Sequence, residues 1–243
     1  MQLSLIEKKN LEGDIYLFTF APKEPLMWKA GQQMVFTLEH LNPDNLGIKR
    51  TLSIASAPFE KNIIVLTHCG EQASTFKKAL KAMREGDTIE AGAPEGDFII
   101  KDPEKQYTLI AAGVGIAAYR SMLMDLDYHN LPINITLIYS HTSENFPFKD
   151  EIEELLERHE NFQVFYTIDP KEIDRGRIKE AVVGLDDNPV YMSGVYIRKI
   201  ATMLDHRDVS PRRIVHDGRA TAMTPRQEEI QAEETYLNSM LGE

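Results

Sequence analysis

The hydrophobic pattern of this chain changes period near residue 102, and that change constrains its fold more than any other feature. Before Asp102-Pro103, short alternating runs dominate: Ile15–Phe20, Gln33–Leu38, Arg50–Ile54 and Asn62–Thr67. They are rich in β-branched and aromatic residues and bounded by Pro, Gly and Asn, which reads as antiparallel strands. Their regular spacing predicts a sandwich or barrel. One helix interrupts them, Ser74–Met83, with Phe76, Leu80 and Met83 on one face. After residue 102 the runs become continuous. Tyr107–Ala112, Ile135–Ser140, Phe162–Ile168 and Pro189–Ser193 each read as a strand buried on both faces. Helical stretches, Ala117–Tyr128, Phe148–His159 and Val195–His206, separate or follow them. Strand and helix in alternation predict a doubly wound parallel sheet with right-handed crossovers. Such a sheet binds ligands beyond the carboxyl ends of its strands, at the switch point of its topology.

The expected organisation is therefore two domains, 1–102 and 103–216, followed by an acidic segment, 217–243. The length of 243 residues accommodates both domains. The last segment carries six carboxylates against two arginines. Thr224-Pro225 reads as a helix start, with Ile230, Leu237 and Leu241 as a thin apolar stripe. It reads either as a helix packed on the body or mobile tail, or as a cover over a site or a handle for a partner.

Charge and composition exclude several functions. A formal net charge of −11 opposes nucleic-acid backbones, so no nucleic-acid partner is expected. The single cysteine, Cys69, allows neither an internal disulfide nor a cysteine-only metal site. The seven histidines are scattered without metal-ligand spacing. His68-Cys69 is adjacent in a strand, where neighbours point to opposite faces, so it does not read as a catalytic dyad. No apolar run approaches the roughly 20 residues that cross a membrane, and MQLSLIEKKN lacks the form of a secretory leader. A cytoplasmic protein without a transmembrane segment is the expectation.

Five segments carry chemistry. Lys49-Arg-Thr-Leu-Ser-Ile-Ala-Ser56 offers Arg50 for charge-assisted bonds to a phosphate and Ser53 as a donor to a ring nitrogen. Gly70-Glu-Gln-Ala-Ser-Thr-Phe76 leads from a Gly turn to a helix N-terminus, where free N–H groups favour an anion, although Ser74 equally suits a plain N-cap. Glu85–Phe98 is rich in Gly and closes the first half. Ala111-Ala-Gly-Val-Gly-Ile-Ala-Ala-Tyr-Arg120 is a Gly-rich turn from strand to helix, and Val190-Tyr-Met-Ser-Gly-Val195 ends a later strand.

In this order the segments resemble the ferredoxin–NADP reductase (flavodoxin reductase-like) family, over about residues 1–216. Arg50-Thr-Leu-Ser53 matches its flavin motif R-x-Y-S. Gly86-Asp87 to Phe98 matches its G-D-x(n)-G-P-x-G-x-F segment. Gly113-Val-Gly115-Ile-Ala-Ala118 matches G-x-G-x-x-P, and Ser193-Gly-Val195 matches C-G-P. The resemblance implies a six-stranded antiparallel β-barrel that binds FAD, then a nucleotide domain with a five-stranded parallel sheet that binds NADH or NADPH. It implies hydride transfer from nicotinamide C4 to flavin N5, and onward release of electrons one or two at a time. By the same resemblance Arg50 binds the flavin phosphates, and Ser74 and Thr75 support the pyrophosphate. Thr51, Leu52, Leu66, Thr67 and Gly70 line the flavin. Ser53 bonds near N5, Gly113 and Gly115 admit the nicotinamide nucleotide, and Ser193 and Gly194 sit at the nicotinamide ring. Ser53 and Ser193 are the candidate catalytic residues.

The departures from the pattern fall on the chemistry. Leu52 replaces the Tyr that flanks the flavin and cannot stack as an aromatic does. Ser193, Val195 and Ala118 replace the Cys and the two Pro. These changes favour a slow or specialised reductase. A non-catalytic subunit that keeps the fold and binds a partner through its acidic tail is the alternative. Where NADP-using relatives carry Arg, this chain reads Ser140-His-Thr-Ser143 and Ile168-Asp-Pro170, which points to NADH. Arg175 and Arg177 lie beside Asp169 and Asp174. The electron acceptor is open, a redox protein or a small molecule. Lys77, Lys78 and Lys81 read as a solvated helix face rather than a docking patch for an acidic acceptor.

Overall fold

In the computed structural model, residues 1–168, 189–193 and 214–216 are described. Six strands form an antiparallel sheet: β1 (Gln2–Glu12), β2 (Ile15–Pro22), β3 (Gln33–Thr37), β4 (Lys49–Ser53), β5 (Ile63–His68) and β6 (Thr88–Ala91). Their spatial order is β4-β3-β6-β1-β2-β5. The sheet curls so that its two ends meet beyond β4. There the Ala55 N–H donates to the Ile64 carbonyl at 2.7 Å, and the Ile64 N–H donates to Ser56 Oγ at 3.0 Å. The four alternating runs of the sequence are β2 to β5. The two strands they omit have physical reasons to be quiet. β1 buries Leu3 and Leu5, then runs polar along Glu7-Lys-Lys-Asn10 with register shifts against β2. β6 is only four residues long, with Ile89 and Ala91 facing inward.

The interior of this barrel is apolar: Leu3, Leu5, Phe18, Phe20, Met34, Phe36, Ile63 and Val65 are buried. Helix α1 (Thr75–Ala82) closes one side by burying Phe76 and Leu80 in the same cluster. Each such side chain stabilises the fold by roughly 1.5–3 kcal/mol. Cys69 is buried here, and burial pushes its thiol up to about 11 despite the opposing pull of Lys77 and Lys81.

The second sheet is parallel: β7 (Tyr107–Ala112), β8 (Ile135–Ser140), β9 (Phe162–Thr167), β10 (Val190–Ser193) and β11 (Ile214–His216), in the order β11-β10-β7-β8-β9. The chain leaves β7 towards β8 on one side and later returns to β10 on the other. The switch point therefore lies between the carboxyl ends of β7 and β10. Helix α2 (Ile116–Tyr128) follows β7, and α3 (Lys149–Arg158) precedes β9. The fourth expected helix, Val195–His206, and the acidic segment 217–243 lie outside the described residues.

One apolar cluster runs through both halves. Ile15, Leu17 and Leu66 on the outer face of the barrel join Leu109, Ile116, Ala117 and Tyr139 of the second half. A polar clamp reinforces this contact. Arg120 of α2 donates to the Ala55 carbonyl at 2.9 Å and to the Glu60 carboxylate at 2.8 and 3.0 Å, and pairs with Glu151 of α3 at 2.6 Å. Burial opposes its charge, but the two carboxylates outweigh burial and hold the guanidinium protonated. Beside it, Ser121 Oγ donates to the Ser56 carbonyl at 2.7 Å.

Candidate functional site

The segment with Arg50 is β4, paired with β3 so that Arg50 stands opposite Phe36 and Leu52 opposite Met34. Alternation along the strand puts Arg50 and Leu52 on one face and Thr51 and Ser53 on the other. Leu52 is buried in the barrel cluster, Ser53 is buried, and Thr51 is half-buried. On β5, Leu66 faces the second half of the molecule and Thr67 is buried on the opposite face.

The Arg50 guanidinium lies over the Phe76 ring at 5.5 Å, beside the N-terminus of α1. It donates to the carbonyls of Leu46, Gly47 and Lys49 at 3.1, 3.1 and 2.7 Å. Its second nitrogen meets both oxygens of the Asp44 carboxylate, at 2.9 and 3.2 Å. The same carboxylate accepts from the Thr75 N–H at 2.9 Å, in the first turn of α1, and from the Leu46 N–H at 3.0 Å. The Asp44 N–H in turn donates to Thr75 Oγ1 at 3.0 Å, and His40 Nε2 lies 2.9 Å from that hydroxyl. Burial raises the Asp44 carboxyl, but the bonds from Thr75, Arg50 and Leu46 outweigh it and leave the group below its usual range. Ser74 acts as N-cap, accepting from the Lys77 N–H. Guanidinium, helix N–H and loop N–H thus converge on one anion, and the chain itself supplies that anion.

This donor set suits a phosphate or pyrophosphate group. Asp44 stands in for one and shows that the cradle holds a negative charge. Gly70 precedes the cradle and packs directly on the Asp14 carboxylate, where any Cβ would collide.

The second part of the site lies at the carboxyl ends of the parallel strands. Gly113–Gly115 forms a tight turn between β7 and α2, and Gly113 has φ +51°, a left-handed conformation that favours glycine. A Cβ there would stand 3.6 Å from His68 Nε2 and 4.0 Å from His141 Nδ1. The turn is therefore flanked by an imidazole from each half of the molecule. Ala112 is level with Ser140 of β8, and Ala111 with Ser193 of β10. The Ser140 hydroxyl is fully buried and has no hydrogen-bond partner among the described residues. A buried unpaired hydroxyl is costly, so its position at a ligand-binding edge fits a site that a nucleotide completes.

Beyond β8 the loop turns towards the barrel. Ser143 Oγ donates to Glu12 Oε2 at 2.6 Å, Asn145 Nδ2 donates to Glu12 Oε1 at 3.3 Å, and His141 Nε2 lies 3.6 Å from Glu12. Burial holds His141 below its usual value, against the pull of Glu12.

The sequence reading brings Arg50, Ser74 and Thr75 to one place, and Gly113, Gly115 and the Ser193 backbone to another. Gly194, Arg175, Arg177, Asp169 and Asp174 lie outside the described residues. Sequence reasoning missed Asp44 and Glu12, set His40, His68 and His141 aside as scattered, and named Ser140 only for the absence of an Arg in its segment. Asp44 had a signal: it lies in the turn-forming run Asn-Pro-Asp-Asn just before Arg50. The lysines also differ from expectation. Lys77 is buried, and Lys81 donates to the Cys69 carbonyl at 3.2 Å with its ammonium over Tyr16. Only Lys78 of the three is exposed. Their alkyl stems are long enough to cover the barrel edge, which a helical-wheel reading ignores.

Comparison with known proteins matches residues 109–197 to the oxidoreductase NAD-binding domain family. A flavohemoprotein of Pseudomonas aeruginosa is 30% identical over 165 residues, which cover 66% of this chain and 41% of that protein. Two solved structures share the fold. A cytochrome P450 reductase of Amycolatopsis superposes with TM-score 0.73 at 19% identity, covering 89% of this chain and 69% of the other. The ferredoxin-NADP+ reductase of Plasmodium falciparum gives TM-score 0.72 at 18% identity, covering 88% and 94%. The match spans about two fifths of the length of the flavohemoprotein relative.

Proposed function

We propose that this chain is a ferredoxin–NADP reductase-like oxidoreductase that carries electrons from NADH through bound FAD to a separate acceptor. The observation that carries this reading is the convergence of the Arg50 guanidinium with the Thr75 and Leu46 N–H groups on a single carboxylate beside β4. When bound, the flavin supplies the two-electron chemistry and its one-electron release. Arg50 then anchors the phosphates, Ser74 and Thr75 bind them at the helix N-terminus, and Gly70 keeps the approach open. Thr51, Leu52, Leu66 and Thr67 line the ring on the barrel side, and Ser53 hydrogen-bonds near its reactive nitrogen. Gly113 and Gly115 admit the nicotinamide nucleotide, with Ser193 and Gly194 at its ring. Residues 1–102 form the flavin half, 103–216 the nucleotide half, and 217–243 a tail that contacts a partner.

The choice of NADH rests on Glu12. Its carboxylate faces the 141–145 loop, where a 2′-phosphate needs positive charge, and it is bonded to Ser143 and Asn145. A second anion there costs Coulomb energy that NADH does not incur. The acceptor is a redox protein or small molecule that docks without a lysine patch on α1, since two of its three lysines are engaged internally. The burial of Leu52 supports a slow enzyme, and in its extreme form a non-catalytic flavoprotein subunit.

The test is an absorbance spectrum of the purified protein, recorded before and after anaerobic NADH and then NADPH. A flavin spectrum that bleaches with NADH, and less readily with NADPH, supports the proposal. A flavin spectrum that stays oxidised with both favours the subunit reading. A colourless protein that takes up no FAD overturns both.

A further inference from the structure

We propose that Asp44 is a built-in competitor for the flavin phosphates, and that the loop between β3 and β4 is a latch that opens when FAD binds. This rests on the flavin reading above, and it deepens it by naming what controls cofactor occupancy. The Asp44 carboxylate receives four contacts from three donors: two from one Arg50 nitrogen and one each from the amides of Thr75 and Leu46. Two of these sources, Arg50 and Thr75, are the groups assigned to the flavin phosphates. A guanidinium and a helix amide cannot hold a carboxylate and a phosphate in the same place, so the two anions exclude each other.

The loop is built for a separable contact. Its base is pinned by the Leu38 N–H donating to the Ile48 carbonyl at 3.0 Å, so residues 39–47 move without disturbing the β3–β4 ladder. Two of its residues, Asn42 and Gly47, take positive φ, and Leu41 is 90% exposed, so little apolar burial holds the tip down. What holds it is polar: the ion pair, with the Arg50 side chain 4% and the Asp44 side chain 28% exposed, the Arg50 bonds to the Leu46 and Gly47 carbonyls, and the contacts of Asp44 and His40 with Thr75. The cofactor therefore binds only the fraction of molecules whose latch is open, which raises the apparent dissociation constant by the reciprocal of that fraction. In return the flavin-free protein never carries a bare buried guanidinium.

The experiment compares wild-type apoprotein with Asp44→Asn and Asp44→Ala. Flavin fluorescence reads binding of FAD and of riboflavin, which lacks phosphate. Calorimetry reads binding of inorganic pyrophosphate. Asn keeps the turn and the amide contacts but removes the charge, so it is the informative variant if Ala does not fold. The expected result is FAD and pyrophosphate binding about tenfold tighter in Asp44→Asn, a difference of about 1.4 kcal/mol, with riboflavin unchanged. Hydrogen exchange on the wild type adds an independent readout: FAD should expose the Leu46 amide and leave the Thr75 amide protected. Equal or weaker FAD binding in folded Asp44→Asn, with Leu46 still protected, overturns the latch and leaves the flavin function standing. Tighter pyrophosphate binding without any FAD uptake supports the latch and overturns the flavin function. Unchanged pyrophosphate binding in both variants overturns the latch.

Discussion

The two halves of the candidate site solve the same problem in opposite ways. At the barrel, the Arg50 guanidinium and the Thr75 N–H already have an acceptor within the chain, and the Asp44 carboxylate takes the central place. At the parallel sheet, the fully buried Ser140 hydroxyl has no partner among the described residues, beside a turn whose left-handed backbone favours glycine. Both arrangements cost free energy, but at different stages. A self-filled cradle is stable before binding and must give something up to bind. An unpaired hydroxyl is destabilising before binding and gains when a ligand arrives. The first suits a resident cofactor acquired once, and the second suits a nucleotide that comes and goes.

The sharpest way to break this contrast is to remove Arg50. Arg50→Ala should destabilise the apoprotein by about 3–5 kcal/mol, because it strands Asp44 among partly buried groups. Urea denaturation measures this. Arg50→Lys should recover little of the loss, since an ammonium cannot serve the Asp44 carboxylate and the Leu46, Gly47 and Lys49 carbonyls together as the planar fork does. A loss below about 1 kcal/mol, the range of an exposed ion pair, would show that the cradle is not held by its own anion.

The opposite sign is expected at the other half. Ser140→Ala should stabilise the apoprotein by roughly 1 kcal/mol, by removing an unsatisfied hydroxyl, and should weaken NADH binding. A stability loss on this substitution would mean that the hydroxyl is already satisfied, and the contrast would disappear.

Acid should separate the halves as well. Asp44 has a lowered pKa in the folded protein, so its contribution is present above the ordinary carboxylate range and is lost as pH falls through the folded value. His141 is lowered too, but as a base. The unfolded chain takes up a proton near the usual 6.5 while the folded chain resists it, so stability falls as pH drops below about 6.5. Hydrogen exchange between pH 7 and 5 should therefore loosen the His141 amide, which donates to the Thr167 carbonyl, before the Thr75 amide. Simultaneous loss of both would contradict the contrast.

The smallest expected effect concerns donor choice. Glu12→Gln removes one charge near the 141–145 loop and should narrow the NADH preference a few-fold, by less than about 1 kcal/mol in a partly solvated setting. The ratio of kcat/KM for the two nucleotides reads it directly.

These contrasts were only partly visible in the sequence. The two periodicities located β2 to β5, β7 to β10 and α1 to α3, because burial on one face or on both leaves a distinct pattern, whereas the three-residue β11 went unread. β1 and β6 escaped because Glu7-Lys-Lys-Asn10 is polar along its run and Thr88–Ala91 is too short to establish a period. Arg50, Ser74 and Gly113 were legible because motif spacing carries local backbone requirements. Asp44, Glu12 and Ser140 were not, because their roles arise from long-range packing. Glu12 meets Ser143 only after both sheets have formed. Arg120 stood inside the Gly-rich segment and passed unnoticed, because nothing local distinguishes a guanidinium that spans two domains from one that faces water.

Arg120 also bears on how this chain can be divided. The pattern change at residue 102 suggests a seam where the molecule could be cut, expressed as two pieces or recombined with other modules. The clamp argues against that. A fragment that ends there keeps Glu60 and the Ala55 carbonyl but loses the guanidinium between them, and the other fragment keeps Arg120 with only Glu151. Each piece would also expose its share of a common apolar cluster. For protein engineering, the unit of exchange is therefore the two sheets together.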